Sequence, residues 1–165
     1  MTIEHTFAAG LVLVQAILLQ PDFPTNPGDG GGREQRVSRD WRAVPGMEYE
    51  INLEDDGLVE ITGHLGFQIE DKRCDRDDTF MTGIALAING QQVRAPIGTY
   101  ATQNAQRWQH YQDMPFSWVL PLERGEHVIQ LMARAVAKGR AIINRCRAWF
   151  KQSHYSGMAI RVYAP

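Results

Sequence analysis

The chain predicts an all-β fold, an antiparallel sandwich of two sheets. Three observations carry this. Apolar residues recur at every second position through most of the sequence, as where Met47, Tyr49, Ile51 and Leu53 alternate with Glu48, Glu50 and Asn52. Turn signals separate the alternating runs at short spacing: Glu-Asp-Asp-Gly at 54–57, Asn89-Gly90, and Glu-Arg-Gly at 123–125. Stretches with a helical period are scarce. Each alternating run has one apolar side, and two sheets facing each other across one core hide all of those sides together.

The elements follow in order. Phe7 to Leu19 is strongly apolar but shorter than the ~20 residues of a membrane helix. The segment before it offers Glu4 and His5 and no Lys or Arg, and no small-x-small cleavage site follows, so it does not have the pattern of a signal peptide. We read it as retained structural sequence, with Val12-Leu13-Val14 favouring a strand. Residues 1–25 then form an apolar arm or extra strand. Residues 26–36 form a linker, because "NPGDGGG" from Asn26 holds four glycines and a proline in seven residues. Residues 37–165 form the sandwich domain.

Within that domain, the turn at 54–57 places Gly57 where positive φ is available. Val59, Ile61, Gly63, Leu65, Phe67 and Ile69 line the buried side of the next strand, and Glu60, Thr62, His64 and Gln68 face away. A charged loop follows at 70–78. Ile84, Leu86 and Ile88 continue the alternation to Asn89-Gly90, the strongest short hairpin signal, and Val93 begins the return strand. Residues 95–115 are polar and irregular, with a turn or two of helix expected in "NAQRWQHYQDM". Phe116, Trp118 and Leu120 resume a strand that Pro121 ends. Gly125 then takes the left-handed position of a bulged hairpin, and the partner strand buries Ile129, Leu131, Ala133 and Ala135. The stretch from Ala133 to Gln152 contains helix formers. Gly139 and the pair Ile142-Ile143 favour strand there. Met158, Ile160 and Val162 face inward on a closing strand, with Arg161 and Tyr163 opposite.

The 165 residues make one domain, with 44% hydrophobic and 22% charged residues, as in ordinary globular chains. A net charge of −2 predicts no general affinity for nucleic acid or membrane. The charges are unevenly placed: residues 1–80 hold 16 acidic and 7 basic side chains, while 127–165 hold 7 basic and no acidic ones. Either the two halves touch and neutralise each other, in a fold where first and last strands are neighbours, or a basic face meets an acidic partner, including a second copy. Cys74 and Cys146 are too few for a disulfide scaffold and lack the spacing of a zinc pair; they bond to each other or remain thiols.

No residue set carries a catalytic signature. Asp71, Asp75, Asp77 and Asp78 share a loop, but Lys72, Arg73 and Arg76 interleave and no calcium-loop spacing is present, so a solvated loop is expected. His5, His64, His110, His127 and His154 show no paired metal spacing. Ser156 opens a strand and lacks the setting of a nucleophile elbow. Cys146, between Arg145 and Arg147, reads as strand packing. Tyr100, Trp108 and Tyr111 lie among Gln103, Asn104, Gln106 and Gln109, a composition suited to stacking on a sugar ring or to plugging one end of the sandwich. Trp118 reads as core, and Trp41 and Trp149 as interface anchors. Arg147, Trp149 and Lys151 alternate on one strand, too little for a nucleic-acid surface in a net-negative domain.

The segments "VPGMEYEINLEDDGLVEITGHLGF", "IALAINGQQV", "FSWVLPLERGEHVIQLMARA" and "HYSGMAIRVYA" together resemble the jelly-roll domains of the tumour-necrosis-factor and complement-globular-head type. They are also similar to small sandwich modules of phage and bacterial surface fibres. The resemblance covers roughly Pro45 to Tyr163. It implies a compact homotrimer that uses one flank of the sandwich and binds through loops or outer faces. The glycine-rich link and the apolar arm depart from the family pattern, and the arm suits a strand donated to a neighbour. The expected function is a non-enzymatic structural or binding module, a homo-oligomer in a larger assembly such as a virion, tail fibre or surface structure. It needs neither cofactor nor metal, and its partners are copies of itself and other assembly proteins, not nucleic acid or membrane. Its expected interface is Leu11, Val12, Leu13, Val14, Ile17, Leu18, Trp149 and Tyr163. The alternative is a carbohydrate-binding module using Tyr100, Trp108 and Tyr111.

Overall fold

The computed structural model describes residues 10–22, 34–36, 38, 40–69, 79–93, 100–104, 110–137, 148–151 and 156–165. Every regular element among them is a strand: β1 Val12–Leu19, β2 Glu34–Arg36, β3 Arg42–Leu53, β4 Gly57–Ile69, β5 Thr79–Ile88, β6 Gln91–Gln92, β7 Tyr100–Asn104, β8 His110–Leu122, β9 Gly125–Ala137, β10 Ala148–Lys151 and β11 Gly157–Ala164.

The strands form two antiparallel sheets. In the first, β4 pairs β8 along one edge; its other edge takes β11 and then β10, which carry β1 and β2 respectively. In the second, β9 lies between β3 and β5, and the far edge of β5 takes β7 and β6. The successive long strands β3, β4, β5, β8, β9 and β11 alternate between the sheets, and the first strand β1 lies beside the last, β11. This is the winding of a jelly roll, and the all-β, two-sheet architecture agrees with the period-two pattern.

The inward side chains interdigitate between the sheets. Val59, Ile61, Leu65, Met158 and Ile160 from one sheet and Met47, Leu86, Ile129 and Leu131 from the other are fully buried. Each such Val, Leu or Ile contributes about 1.5–3 kcal/mol by leaving water. Trp118 is buried, as expected, and stacks obliquely on Phe116 with ring centroids 5.4 Å apart.

The hand-over along the edge of β4 leaves one backbone group to satisfy. β11 pairs β4 up to His64 and β10 resumes at Phe67. In the gap, the Gly66 N–H donates to the buried Ser156 Oγ at 3.0 Å. The serine before β11 thus supplies the acceptor that neither strand provides.

Four local expectations are corrected. The 123–125 turn joins no hairpin: β8 belongs to the first sheet and β9 to the second, so the chain crosses between layers there. Gly125 does have positive φ, at 127°. The 54–57 turn is a crossover at the same end, and Asp56 Oδ1 accepts the Arg124 N–H at 2.9 Å, tying the two crossovers together. Gly57 does not take positive φ; it is needed because a Cβ would lie 2.9 Å from the Tyr163 carbonyl oxygen. Finally, 95–115 is not one excursion. β7 occupies Tyr100–Asn104, and β8 starts at His110 and runs through Pro121. Pro115 and Pro121 fit because β8 has a partner on one side only, and their even spacing aims both missing N–H groups at the open edge.

The Asn89-Gly90 turn is as expected, with both residues at positive φ (53° and 76°) and Val93 N–H bonded to Leu86 O at 2.8 Å, although the return strand opens at Gln91. Less foreseeable is the corner where the end of β1 meets β3. Ala43 pairs Met132 and Glu48 pairs Gln130, so four residues on β3 face one on β9. Val44 and Met47 both point into the core across this bulge. Gly46 sits on the outside at φ 76°, and a Cβ there would lie 2.5 Å from Gln20 O and from Asp22 N. The chain leaving β1 presses on that spot, with Asp22 N–H bonded to Pro45 O at 2.9 Å. Gly46→Ala therefore combines left-handed strain with a backbone collision. It should lower stability by about 2 kcal/mol or more, read as a lower urea midpoint at unchanged slope.

Candidate functional site

Cross-strand neighbours share a face, so the register of the first sheet defines its outer surface. One row runs Leu13, Tyr163, Leu58 and Pro121 across β1, β11, β4 and β8. The next runs Ala16, Arg161, Glu60 and Val119, and a third Leu18, Ala159, Thr62 and Ser117. The rim of this face is apolar and open at both sides. Leu18 is 74% exposed, and Leu13 and Val119 are about half exposed.

A polar cluster sits in the middle. Arg161 Nη1 donates to Glu60 Oε2 at 3.1 Å and to Thr62 Oγ1 at 3.4 Å, and the Tyr163 hydroxyl donates to the same Glu60 oxygen at 3.2 Å. These residues stand about a hundred positions apart in sequence and meet because β11 pairs β4. Burial first, then the Glu60 hydrogen bond and negative charge, raises the Tyr163 hydroxyl above the usual tyrosine pKa of 10.0; Arg161 opposes this. The Arg161–Glu60 pair also joins the basic end of the sequence to its acidic first half.

The outer face of the second sheet differs. Arg134 stacks on the Trp41 ring with its guanidinium carbon 4.6 Å from the centroid, and Gln130 donates to Glu48. His127 is not on this face: it stands opposite Ile51 at the end of β9, where it donates through Nε2 to Glu123 O at 2.7 Å and accepts at Nδ1 from Asn89 Nδ2 at 3.4 Å, so both ring nitrogens are engaged.

The expected interface residues fall in three places. Leu11, Val12, Leu13, Val14 and Leu18 are all exposed on or beside β1, while Ile17 turns inward against the core. Tyr163 stands opposite Leu13 on the adjacent strand. Trp149 lies on β10, in register with Gln68 and Arg36, beside the far half of β4. The structure does not bring the proposed sugar-stacking residues together on one strand pair: Tyr100 is on β7 in the second sheet and Tyr111 on β8 in the first. Trp108, the 70–78 loop, Cys74, Cys146 and Arg147 lie outside the described residues. Among the described residues, no three His, Cys, Asp or Glu side chains converge to hold a metal ion.

No family model matches the chain, and no curated protein does. Solved structures similar to it include dimeric latent PorU from Porphyromonas gingivalis, at 10% identity and TM-score 0.46; the match covers 99% of this chain but only 14% of PorU. Murine APRIL is similar at 14% identity and TM-score 0.44, over 91% of this chain and 100% of that one. Eiger TNF from S. frugiperda is similar at 15% identity and TM-score 0.44, over 90% and 92%. At these identities the fold assignment rests on the strand order itself.

The cluster has a pH signature. Because the Tyr163 pKa is raised on folding, its stabilising effect is complete below pH 10 and is lost as pH climbs through the folded value. Thermal midpoints should be flat in this respect below pH 10 and fall above it, and Tyr163→Phe should flatten that alkaline decline.

Proposed function

We propose that this protein is a non-enzymatic binding or structural module that self-associates through the outer face of its first sheet. The observation that supports it is the exposure of β1. On that face Leu18 is 74% exposed and Leu13 and Val119 about half exposed, while Val12, opposite Ala164, and Val14, in the bulge, add 60% and 58% exposed aliphatic surface at the start of the strand. The domain already closes its own core without them. Contiguous apolar surface of this kind, around a small polar centre, has the anatomy of a protein interface.

Full burial of an exposed aliphatic side chain contributes about 1.5–3 kcal/mol. These are already partly covered, so covering them on two copies releases a sum of the same order as the roughly 4–15 kcal/mol that association costs in lost freedom. The Glu60–Arg161–Tyr163 cluster then fixes orientation more than it adds affinity. A closed trimer is the form the tumour-necrosis-factor-like resemblance implies, with the arm of residues 1–25 contributing β1 to the contact. A virion, fibre or surface structure is the kind of assembly such a module would serve.

The test is solution mass by multi-angle light scattering. The wild-type protein should run as a multiple of the 18.7 kDa chain. Leu18→Lys with Val119→Lys should reduce it to a monomer with little change in thermal midpoint, because both side chains lie outside the core. A wild-type monomer at tens of micromolar overturns the proposal.

A further inference from the structure

We infer that β1 pairs edge to edge with β1 of a second copy, so that the first sheet continues across a two-fold axis. This rests on the self-association proposed above and adds to the face a contact at the sheet edge. The other long edge strands among the described residues carry devices that discourage strand addition, and the remaining edge strands are shorter than β1. β8 has Pro115 and Pro121. β3 has Pro45, the four-residue bulge, and the exposed Glu48 and Glu50. β2 and β6 have three and two residues, and β7 has five.

β1 has no proline, charge or brevity to protect it, and its bulge lies near one end. Its eight residues, VLVQAILL, include no proline, glycine or charge. Its one irregularity, the bulge between Leu13 and Gln15, leaves Gln15 to Leu19 in unbroken register. Among the described residues the outer edge of β1 has no strand partner, and such an edge flanked by exposed aliphatic side chains is a template for another strand.

The occupant is a second copy for two reasons. β1 is apolar on both of its faces apart from Gln15, so an antiparallel copy sets apolar side chains opposite apolar ones, and the contact is self-complementary as a two-fold demands. The pairing also extends the apolar outer face from Leu18 directly into the partner's. Being two-fold, it gives a dimer alone and joins pairs of larger oligomers wherever the sheet face closes those.

Proline substitution separates this mode from packing through the face. Of two consecutive strand positions, one N–H points at β11 and the other at the open edge. Gln15 and Ala16 are both exposed, so Gln15→Pro and Ala16→Pro change little else. One variant should lose thermal stability. The other should keep its midpoint while its mass in sedimentation velocity falls to half that of the wild type. Hydrogen exchange on the wild-type protein gives a second reading: alternate β1 amides should gain protection as concentration rises through the association range. If the proline variant that keeps its midpoint also keeps the wild-type mass, or if β1 protection is independent of concentration, strand pairing is overturned. Should Leu18→Lys with Val119→Lys still dissociate the protein in that case, self-association through the face stands without it. A wild-type monomer overturns both.

Discussion

The structure depends on β4 having both edges occupied along its length. β8 pairs all of Gly57 to Ile69, while β11 takes Leu58 to His64 and β10 takes Phe67 to Ile69 on the opposite side. A strand so enclosed has no solvent to satisfy its backbone, so each amide must find a partner in the protein. The buried Ser156 hydroxyl exists for the one that β11 and β10 leave over. The two faces of β4 then have separate tasks. Val59, Ile61 and Leu65 build the core, while Leu58, Glu60 and Thr62 build the outer surface on which the polar cluster sits. Core and candidate interface are thus two sides of one strand.

Much of this was legible in the residues. Period two identified the buried side of β3, β4, β5, β9 and β11, because alternation is a direct consequence of one wet and one dry face. It did not identify which sheet a strand joins. A short turn with glycine serves a hairpin or a crossover equally well, and the choice depends on long-range pairing such as Glu60 with Val119 and Arg161. Hence the segment from Leu120 to Ala135 looked like a hairpin and is a passage between layers. The first residues of β8, His110 to Asp113, were illegible for another reason. What holds them is backbone pairing to Gly66–Ile69, which demands no apolar alternation. Pro121 misled because proline forbids a central strand but not an edge one.

The candidate site divides in the same way. The apolar character of β1 is local and was visible. The Glu60–Arg161–Tyr163 cluster and the Arg134–Trp41 stack join residues about a hundred positions apart, and only the register assembles them. The charge asymmetry was a partial clue. Arg161 does meet Glu60, as expected of halves that touch, yet Arg134 spends its charge on an aromatic face and its Nε has no hydrogen-bond partner. Neutralisation therefore accounts for some of the basic second half and not all of it.

What the fold alone does not require is the hydrophobicity of the outer side of β1. Ile17 and Leu19 pack against the core and would be apolar in any such sandwich. Leu13 and Leu18 point the other way and are largely exposed, and polar residues in their place would cost the monomer little. Neighbouring strands are mixed at equivalent outward positions, with Glu60, Thr62 and Ser117 beside Leu58 and the half-exposed Val119. β1 places its apolar residues at the sheet edge, where uncovered ones are most hazardous, since an edge invites pairing. A sequence that puts prolines or charges on its other long edge strands, and neither on this one, is accounted for when this edge is covered in the functional state. The polar centre of the adjoining face supports the same conclusion: an interface needs a feature that distinguishes one register from another, and an apolar rim cannot supply it.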